Sequence, residues 1–132
     1  MVTDQIADLI TRIRNAQRVG HPTVTVPASN TKQNILDVLC REGYIVEFEK
    51  VDASTKKPSL KVHLKYDRRG EPVIKEIRRM SSPGRRQYVG KEAIPQYKSG
   101  LGTVVISTSK GMVTGKEAEK LGLGGELICA VF

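Results

Sequence analysis

Apolar residues recur at helical spacing near the start of the chain. Ile6, Leu9, Ile10 and Ile13 follow i, i+3, i+4, i+7, which predicts an amphipathic helix over 4–19. Thr3 or Asp4 serves as its N-cap and Gly20 ends it. Arg12, Arg14 and Arg18 fall off the stripe and face outward. The period then changes to two: Thr23-Val24-Thr25-Val26 reads as a short strand stopped by Pro27. Ser29 is placed to cap a second helix over about 30–42, carrying Ile35, Leu36 and Leu39, with Gly43 at its C-terminal end. Two period-two segments follow. In 44–51, Tyr44, Val46 and Phe48 are expected on one face, with Glu47 and Glu49 on the other. In 59–66, Leu60, Val62, Leu64 and Tyr66 alternate with Lys61, His63 and Lys65. A polar turn from Asp52 to Pro58 joins them as a hairpin. Helices followed by an antiparallel hairpin make an α+β arrangement, with helices over one sheet face.

The texture changes after Asp67-Arg68-Arg69-Gly70-Glu71-Pro72, which reads as a linker. Domains are accordingly expected at 1–66 and 73–132, separated by 67–72. A strand over 73–80 leads into the turn signal Ser81-Ser82-Pro83-Gly84, and a short strand follows around Arg86–Val89. The segment 101–108 is apolar and β-branched. Thr114 and Glu117 form a capping-box pattern that opens one short helix to Leu121. A last strand is expected over 126–132.

Composition narrows the function. The 132 residues carry 22 Lys plus Arg against 14 Asp plus Glu, a net charge of +8, with 39% hydrophobic residues. That is a folded basic domain rather than a disordered basic tail, and it points to a polyanionic partner. The excess is local. Residues 65–98 hold 10 basic and 4 acidic groups, whereas 99–132 hold three of each. No apolar run reaches membrane-spanning length, and the N-terminus lacks the basic-then-apolar order of a secretory signal. Cys40 and Cys129 are 89 positions apart and form no zinc or redox spacing, so both read as small core residues of a protein in a reducing cytoplasm.

Catalytic and metal chemistry find little support. His21 and His63 have no carboxylate or thiol at ligand spacing. Gly111-Met112-Val113-Thr114-Gly115-Lys116-Glu117 has the wrong spacing for a phosphate loop, and Glu117 stands where Ser or Thr is needed. No cofactor, metal or small-molecule substrate is therefore expected. Membrane-surface binding would need a basic amphipathic helix with bulky anchors or a block of basic residues, and neither is present in the sequence. Two segments suit nucleic acid better. Ser107-Thr108-Ser109-Lys110-Gly111 offers three hydroxyls and an ammonium beside a glycine, fit for phosphates, ribose hydroxyls and base edges, although a solvated Ser/Thr-rich loop would read the same. Pro83-Gly84-Arg85-Arg86-Gln87-Tyr88 puts two guanidiniums and a ring able to stack on a base on one turn. Of Arg78 and Arg79, adjacent on a strand, only one can share that surface.

These segments, in this order and spacing, resemble the bacterial small-subunit ribosomal protein eight family, primary binders of 16S ribosomal RNA. The resemblance runs the length of the chain. It rests on Thr3-Asp4-x-Ile6-Ala7-Asp8, Thr11-Arg12-Ile13-Arg14-Asn15, Val26-Pro27-Ala28-Ser29, Arg41-Glu42-Gly43-Tyr44-Ile45 and Leu64-Lys65-Tyr66. It continues through Ser81-x-Pro83-Gly84-x-Arg86-x-Tyr88, Gly100-x-Gly102, Ser107 to Gly111, Thr114 and Gly124-Gly125-Glu126. It implies two small abutting α+β domains: an N-terminal α-β-α-β-β unit and a mostly antiparallel β unit with one short helix. It implies that the second domain binds a stem in the central domain of 16S ribosomal RNA through Ser107, Thr108 and Ser109. Lys110 and Gly111 complete that loop, Pro83, Gly84, Arg85, Arg86 and Tyr88 lie beside it, and Gly124, Gly125 and Glu126 shape the surface. Thr3, Asp4, Arg14, Asn15, Ser29 and Lys32 are implied as further RNA contacts. Small-subunit proteins five and twelve, and the messenger RNA of its own operon, are the other implied partners. The chain departs from the family pattern at Gln5, Asn30, Ser82, Gly115 and Glu119; Asn30, Ser82 and Glu119 stand where basic residues are common.

Overall fold

Asp4 sits just before the apolar stripe, and its carboxylate accepts hydrogen bonds from the amides of Ile6 and Ala7 at 3.2 and 3.1 Å. That capping starts α1 (Gln5–Arg18), which buries Ile6, Leu9, Ile10, Ile13 and Ala16. These observations come from a computed structural model that describes residues 4–52, 54 and 56–132. After β1 (Thr23–Pro27), Ser29 caps α2 (Asn30–Arg41) by accepting from the Lys32 amide at 3.2 Å. Two further strands, β2 (Ile45–Val51) and β3 (Ser59–Leu64), complete a three-stranded antiparallel sheet of order β1-β3-β2. The strict alternation in β3 buries Leu60, Val62 and Leu64; α2, which packs on β2, buries Ile35, Leu36, Val38 and Leu39, and α1 packs on β1. Each fully buried Leu or Ile contributes about 1.5–3 kcal/mol relative to an exposed one.

Alternation fails at the start of β2. The register shifts between Ile45 and Glu47, so Ile45 rather than Val46 meets Leu64 and is buried, while Val46 is 57% exposed. The expected Tyr44–Val46–Phe48 face is therefore wrong for Val46, and Tyr44 lies just outside the strand. A β-bulge adds one residue and flips the side chains on one side of it, and Phe48 opposite Val62 resumes the core face.

The stretch 67–72, expected as a linker, is a closed turn. The Asp67 carboxylate accepts from the amides of Arg69 and Glu71 at 2.8 and 3.0 Å, the Asp67 amide donates to the Glu71 carbonyl, and Tyr66 bridges Pro72. An aspartate reaching its own downstream amides is the local reason this sequence turns. The chain divides into two compact units at Asp4–Ile74 and Lys75–Phe132, so this turn lies inside the first.

The second unit is built around β8 (Gly125–Val131). It has β4 (Ile77–Arg79) on one side and β6 (Thr103–Thr108) then β7 (Gly111–Thr114) on the other, while β5 (Tyr88–Val89) also pairs with β8; every pairing is antiparallel. The strand expected over 73–80 keeps only Ile77–Arg79, because the amides of Lys75 and Glu76 both turn to the Phe132 carbonyl. β7 was not expected at all; four residues with only Met112 and Val113 apolar show no readable period. The capping box is formed: Thr114 Oγ1 accepts from the Glu117 amide at 3.1 Å and the Thr114 amide donates to Glu117 at 3.2 Å, opening α3 (Gly115–Leu121). Val104, Ile106, Ala118, Leu127 and Ala130 form the core between this helix and the sheet. Cys129 is fully buried in β8, and burial pushes its thiol up to about 12; Cys40 is only half-buried. The whole is mixed α+β, α-β-α-β-β followed by a mostly antiparallel unit with one α-helix.

Candidate nucleic-acid interface

Glu126 of β8 lies directly opposite Tyr88 of β5 on one side and Ser107 of β6 on the other, and Ser107 lies opposite Met112 of β7. Directly opposed residues of antiparallel strands point to the same face. Tyr88, Glu126, Ser107 and Met112 thus form one row across four strands. Val89 and Ile106, the next residues along, point the other way and join the α3 core. The row is anchored by packed strands while Tyr88 is 70% exposed.

Two glycines set the spacing of this row. A Cβ on Gly125 would stand 2.1 Å from the Ser107 carbonyl oxygen, and one on Gly124 would stand 2.3 Å from that of Val89. Real Cβ atoms do not approach backbone this closely, so only glycine lets β5 and β6 close on β8 here. Sequence resemblance implied that Gly124 and Gly125 shape the surface; close backbone approach is the physical means.

The hydroxyl segment is a hairpin tip rather than a loop. Ser107 and Thr108 lie in β6, Thr108 pairs with Gly111, and only Ser109 and Lys110 make the two-residue turn. The Thr108 hydroxyl is engaged inside the hairpin itself. Its Oγ1 donates to the Gly111 carbonyl at 2.8 Å and accepts from the Lys110 amide at 3.1 Å, which braces the tip. Among the described residues the hydroxyls of Ser107 and Ser109 have no protein partner.

Pro83, Gly84 and Arg85 are exposed at a turn closed by reciprocal Ser82–Arg85 backbone hydrogen bonds of 3.0 Å. Arg86 donates to Glu126 at 3.1 Å, so the guanidinium is steered onto the row between Tyr88 and Ser107. Sequence reasoning missed what holds this turn. Ser81 is fully buried; its Oγ accepts from the Gln87 amide at 2.9 Å, and the Gln87 side chain donates to the Met80 carbonyl at 2.9 Å. A Ser before Pro-Gly reads as turn polarity, and nothing local in the sequence marks it as buried.

The first unit holds the remaining expected residues, and its geometry separates them. Arg14 and Asn15 are exposed on α1. Asp4 and Ser29 act as helix caps through their side-chain oxygens. Thr3 lies outside the described residues. Lys32 is not a surface group: it is 3% exposed, its ammonium donates to the Pro27 carbonyl at 3.0 Å, and Asp8 is 3.9 Å away. Burial lowers its pKa, with Asp8 opposing and Arg12 adding to that shift. His63 does acquire a carboxylate that the sequence spacing hid, Glu49 across the hairpin at 3.2 Å. Among the described residues no group of three His, Cys, Asp or Glu is arranged to hold a metal, and no helix is long and apolar enough to cross a membrane.

Hydroxyls, a steered guanidinium and an exposed ring on rigid strands make a binding face: hydrogen-bond donors and acceptors beside a stacking surface. Comparison with known proteins gives the family. Residues 4–132 match the family described as "Ribosomal protein S8". The proteins named "Small ribosomal subunit protein uS8" of Thermus aquaticus and of Flavobacterium johnsoniae are 53% and 48% identical, each aligned over the full length of both chains. That of Dictyoglomus thermophilum is 52% identical over 99% of this chain and 98% of its own. The chain belongs to the ribosomal protein S8 family, which is structural and non-enzymatic.

Proposed function

We propose that this protein is a structural constituent of the small ribosomal subunit in the bacterial cytoplasm, and that it binds 16S ribosomal RNA chiefly through the Lys75–Phe132 unit. The row Tyr88–Glu126–Ser107, with Arg86 held on Glu126 and the Ser109–Lys110 tip following Ser107 along β6, supports this reading. Unpaired hydroxyls supply hydrogen bonds to ribose and base edges, Tyr88 stacks on an unpaired base, and the guanidiniums pair with phosphates. The target is a stem in the central domain, with small-subunit proteins five and twelve as neighbours. The same face serves a second role on the messenger RNA of its own operon, repressing its translation.

The reading is tested by sedimentation and by titration. The protein should travel with small subunits through a sucrose gradient. Ser107→Ala with Ser109→Ala should weaken binding to the central-domain stem by about 1–3 kcal/mol, the scale of losing well-made specific contacts. Unchanged affinity in a filter-binding titration would remove the hydroxyls from the interface. Lys32 gives the complementary test. Replacing Lys32 by an apolar residue of similar length removes its bond to the Pro27 carbonyl, a loss of about 1–3 kcal/mol, while Asp8 keeps Arg12 at 3.1 Å. Because folding depresses the Lys32 pKa, the burial cost acts below that pKa and fades as pH rises toward the ordinary value of 10.5. Lys32→Met removes that burial cost together with the Pro27 bond, so it should change thermal stability by less than about 3 kcal/mol at neutral pH and leave RNA affinity unchanged. A loss of affinity at intact fold would place its ammonium on RNA.

A further inference from the structure

The turn at 67–72 presents Arg68 and Arg69 together at an exposed tip. Its frame is fixed on all sides. The Asp67 carboxylate holds the amides of Arg69 and Glu71, the Gly70 amide returns to the Asp67 carbonyl at 3.0 Å, and the Val73 amide closes on Lys65 at 2.9 Å. Two side-chain hydrogen bonds tie the end of α1 to the stems of this turn: Gln17 donates to the Ile74 carbonyl at 3.2 Å, and the Tyr66 hydroxyl donates to His21. Arg18, exposed in the last turn of α1, therefore belongs to the same end of the unit.

The pairing state of these arginines sets them apart. Arg12 and Arg41 bind Asp8 and Asp37 one helical turn away, at 3.1 and 3.3 Å. Among the described residues Arg18, Arg68 and Arg69 have no carboxylate partner, although Asp67 and Glu71 flank the last two in sequence. Asp67 is engaged by backbone amides, and exposed Glu71 pairs with neither arginine. A rigid turn that leaves adjacent guanidiniums unsatisfied is preorganised for an external anion. Arg matches phosphate by two parallel hydrogen bonds and loses less freedom when its backbone is already fixed. The tip, Arg68 to Glu71, is exposed and carries no apolar side chain that would form the centre of a protein interface.

We propose that Arg68 and Arg69, with Arg18 beside them, form a second anion site that binds the sugar-phosphate backbone of 16S ribosomal RNA without reading sequence. This rests on the RNA-binding reading above and adds to it a contact by the Asp4–Ile74 unit. The test uses the full chain and full-length 16S ribosomal RNA over 50–200 mM salt, comparing wild type, Arg68→Ala/Arg69→Ala and Arg68→Lys/Arg69→Lys. Each phosphate contact contributes about 0.7–0.9 to the slope of log K against log salt. The alanine pair should flatten the slope by about 1.4–1.8, so that wild type loses roughly 7- to 12-fold more affinity than the variant across that range. The lysine pair should retain the wild-type slope, the melting temperature should not move, and discrimination between 16S and an unrelated RNA should be unchanged. An alanine pair with the wild-type slope overturns the site, as does a loss confined to discrimination. If that pair keeps its RNA slope but loses co-sedimentation with the assembled subunit, the turn meets a protein instead and the proposal fails. Absence of any salt-dependent binding by the wild type would instead overturn the RNA-binding reading on which this one stands.

Discussion

Gly125→Ala should destabilise the second unit by about 3 kcal/mol or more and lower RNA affinity even in the molecules that remain folded. The added Cβ would stand 2.1 Å from the Ser107 carbonyl oxygen, 2.9 Å from its carbonyl carbon and 3.0 Å from Ile106 Cγ2. The first two are backbone atoms at the Ser107–Glu126 end of the β6–β8 pairing, so no side chain can swing aside to make room. Overpacking in a well-filled interior costs typically about 1–3 kcal/mol, and a backbone clash of this depth belongs at or above the top of that range. The strands must part where Ser107 faces Glu126, which moves the Ser107 hydroxyl away from Tyr88. A thermal melt with an RNA titration well below the melting temperature separates the two effects. Wild-type affinity at reduced stability would show that the row tolerates displacement and is not the binding face.

The sequence made the locally determined parts of this fold readable. Asp4, Ser29 and the Thr114–Glu117 box are satisfied by amides within three residues, so residue type and spacing already state the structure. β3 was readable because helices cover one face of its sheet and leave strict alternation. The bulge at Ile45–Glu47 was not, since it is decided by which residue meets Leu64 from another strand. The same distinction runs through the site. Tyr88, Arg86 and the hydroxyl run stood out by chemistry. That Glu126 sits between Tyr88 and Ser107 follows from pairing residues about 20 and 40 positions away, which no local pattern records. Lys32 misleads for a related reason. A lysine after a helix cap reads as solvated, and only the packing of α2 beside Asp8 and Pro27 buries it. Arg68-Arg69 carried little information as a dipeptide; it acquires a role from the closed turn that displays it.

Stability and site geometry are separable in this unit, and Ile106 shows how. It is fully buried, packs with Val104, Ala118 and Leu127, and immediately precedes Ser107 in β6. Ile106→Ala removes core volume without pushing on the backbone, so it should cost about 2–5 kcal/mol, and Ile106→Val about 0.5–1.5 kcal/mol. The β6–β8 hydrogen bonds and the Gly125 approach remain, so Ser107 stays opposite Glu126 and RNA affinity of the folded protein should remain near wild type. Gly125→Ala, by contrast, should lower both. Combining it with Ile106→Ala relieves the 3.0 Å contact with Ile106 Cγ2 but not the 2.1 Å contact with the Ser107 carbonyl. The double variant should therefore show a stability loss somewhat short of the sum of the two, because the residues touch, and no recovery of affinity. Recovery of RNA binding in the double variant would mean that the Ile106 side chain, rather than backbone spacing at Gly125, positions the hydroxyl face.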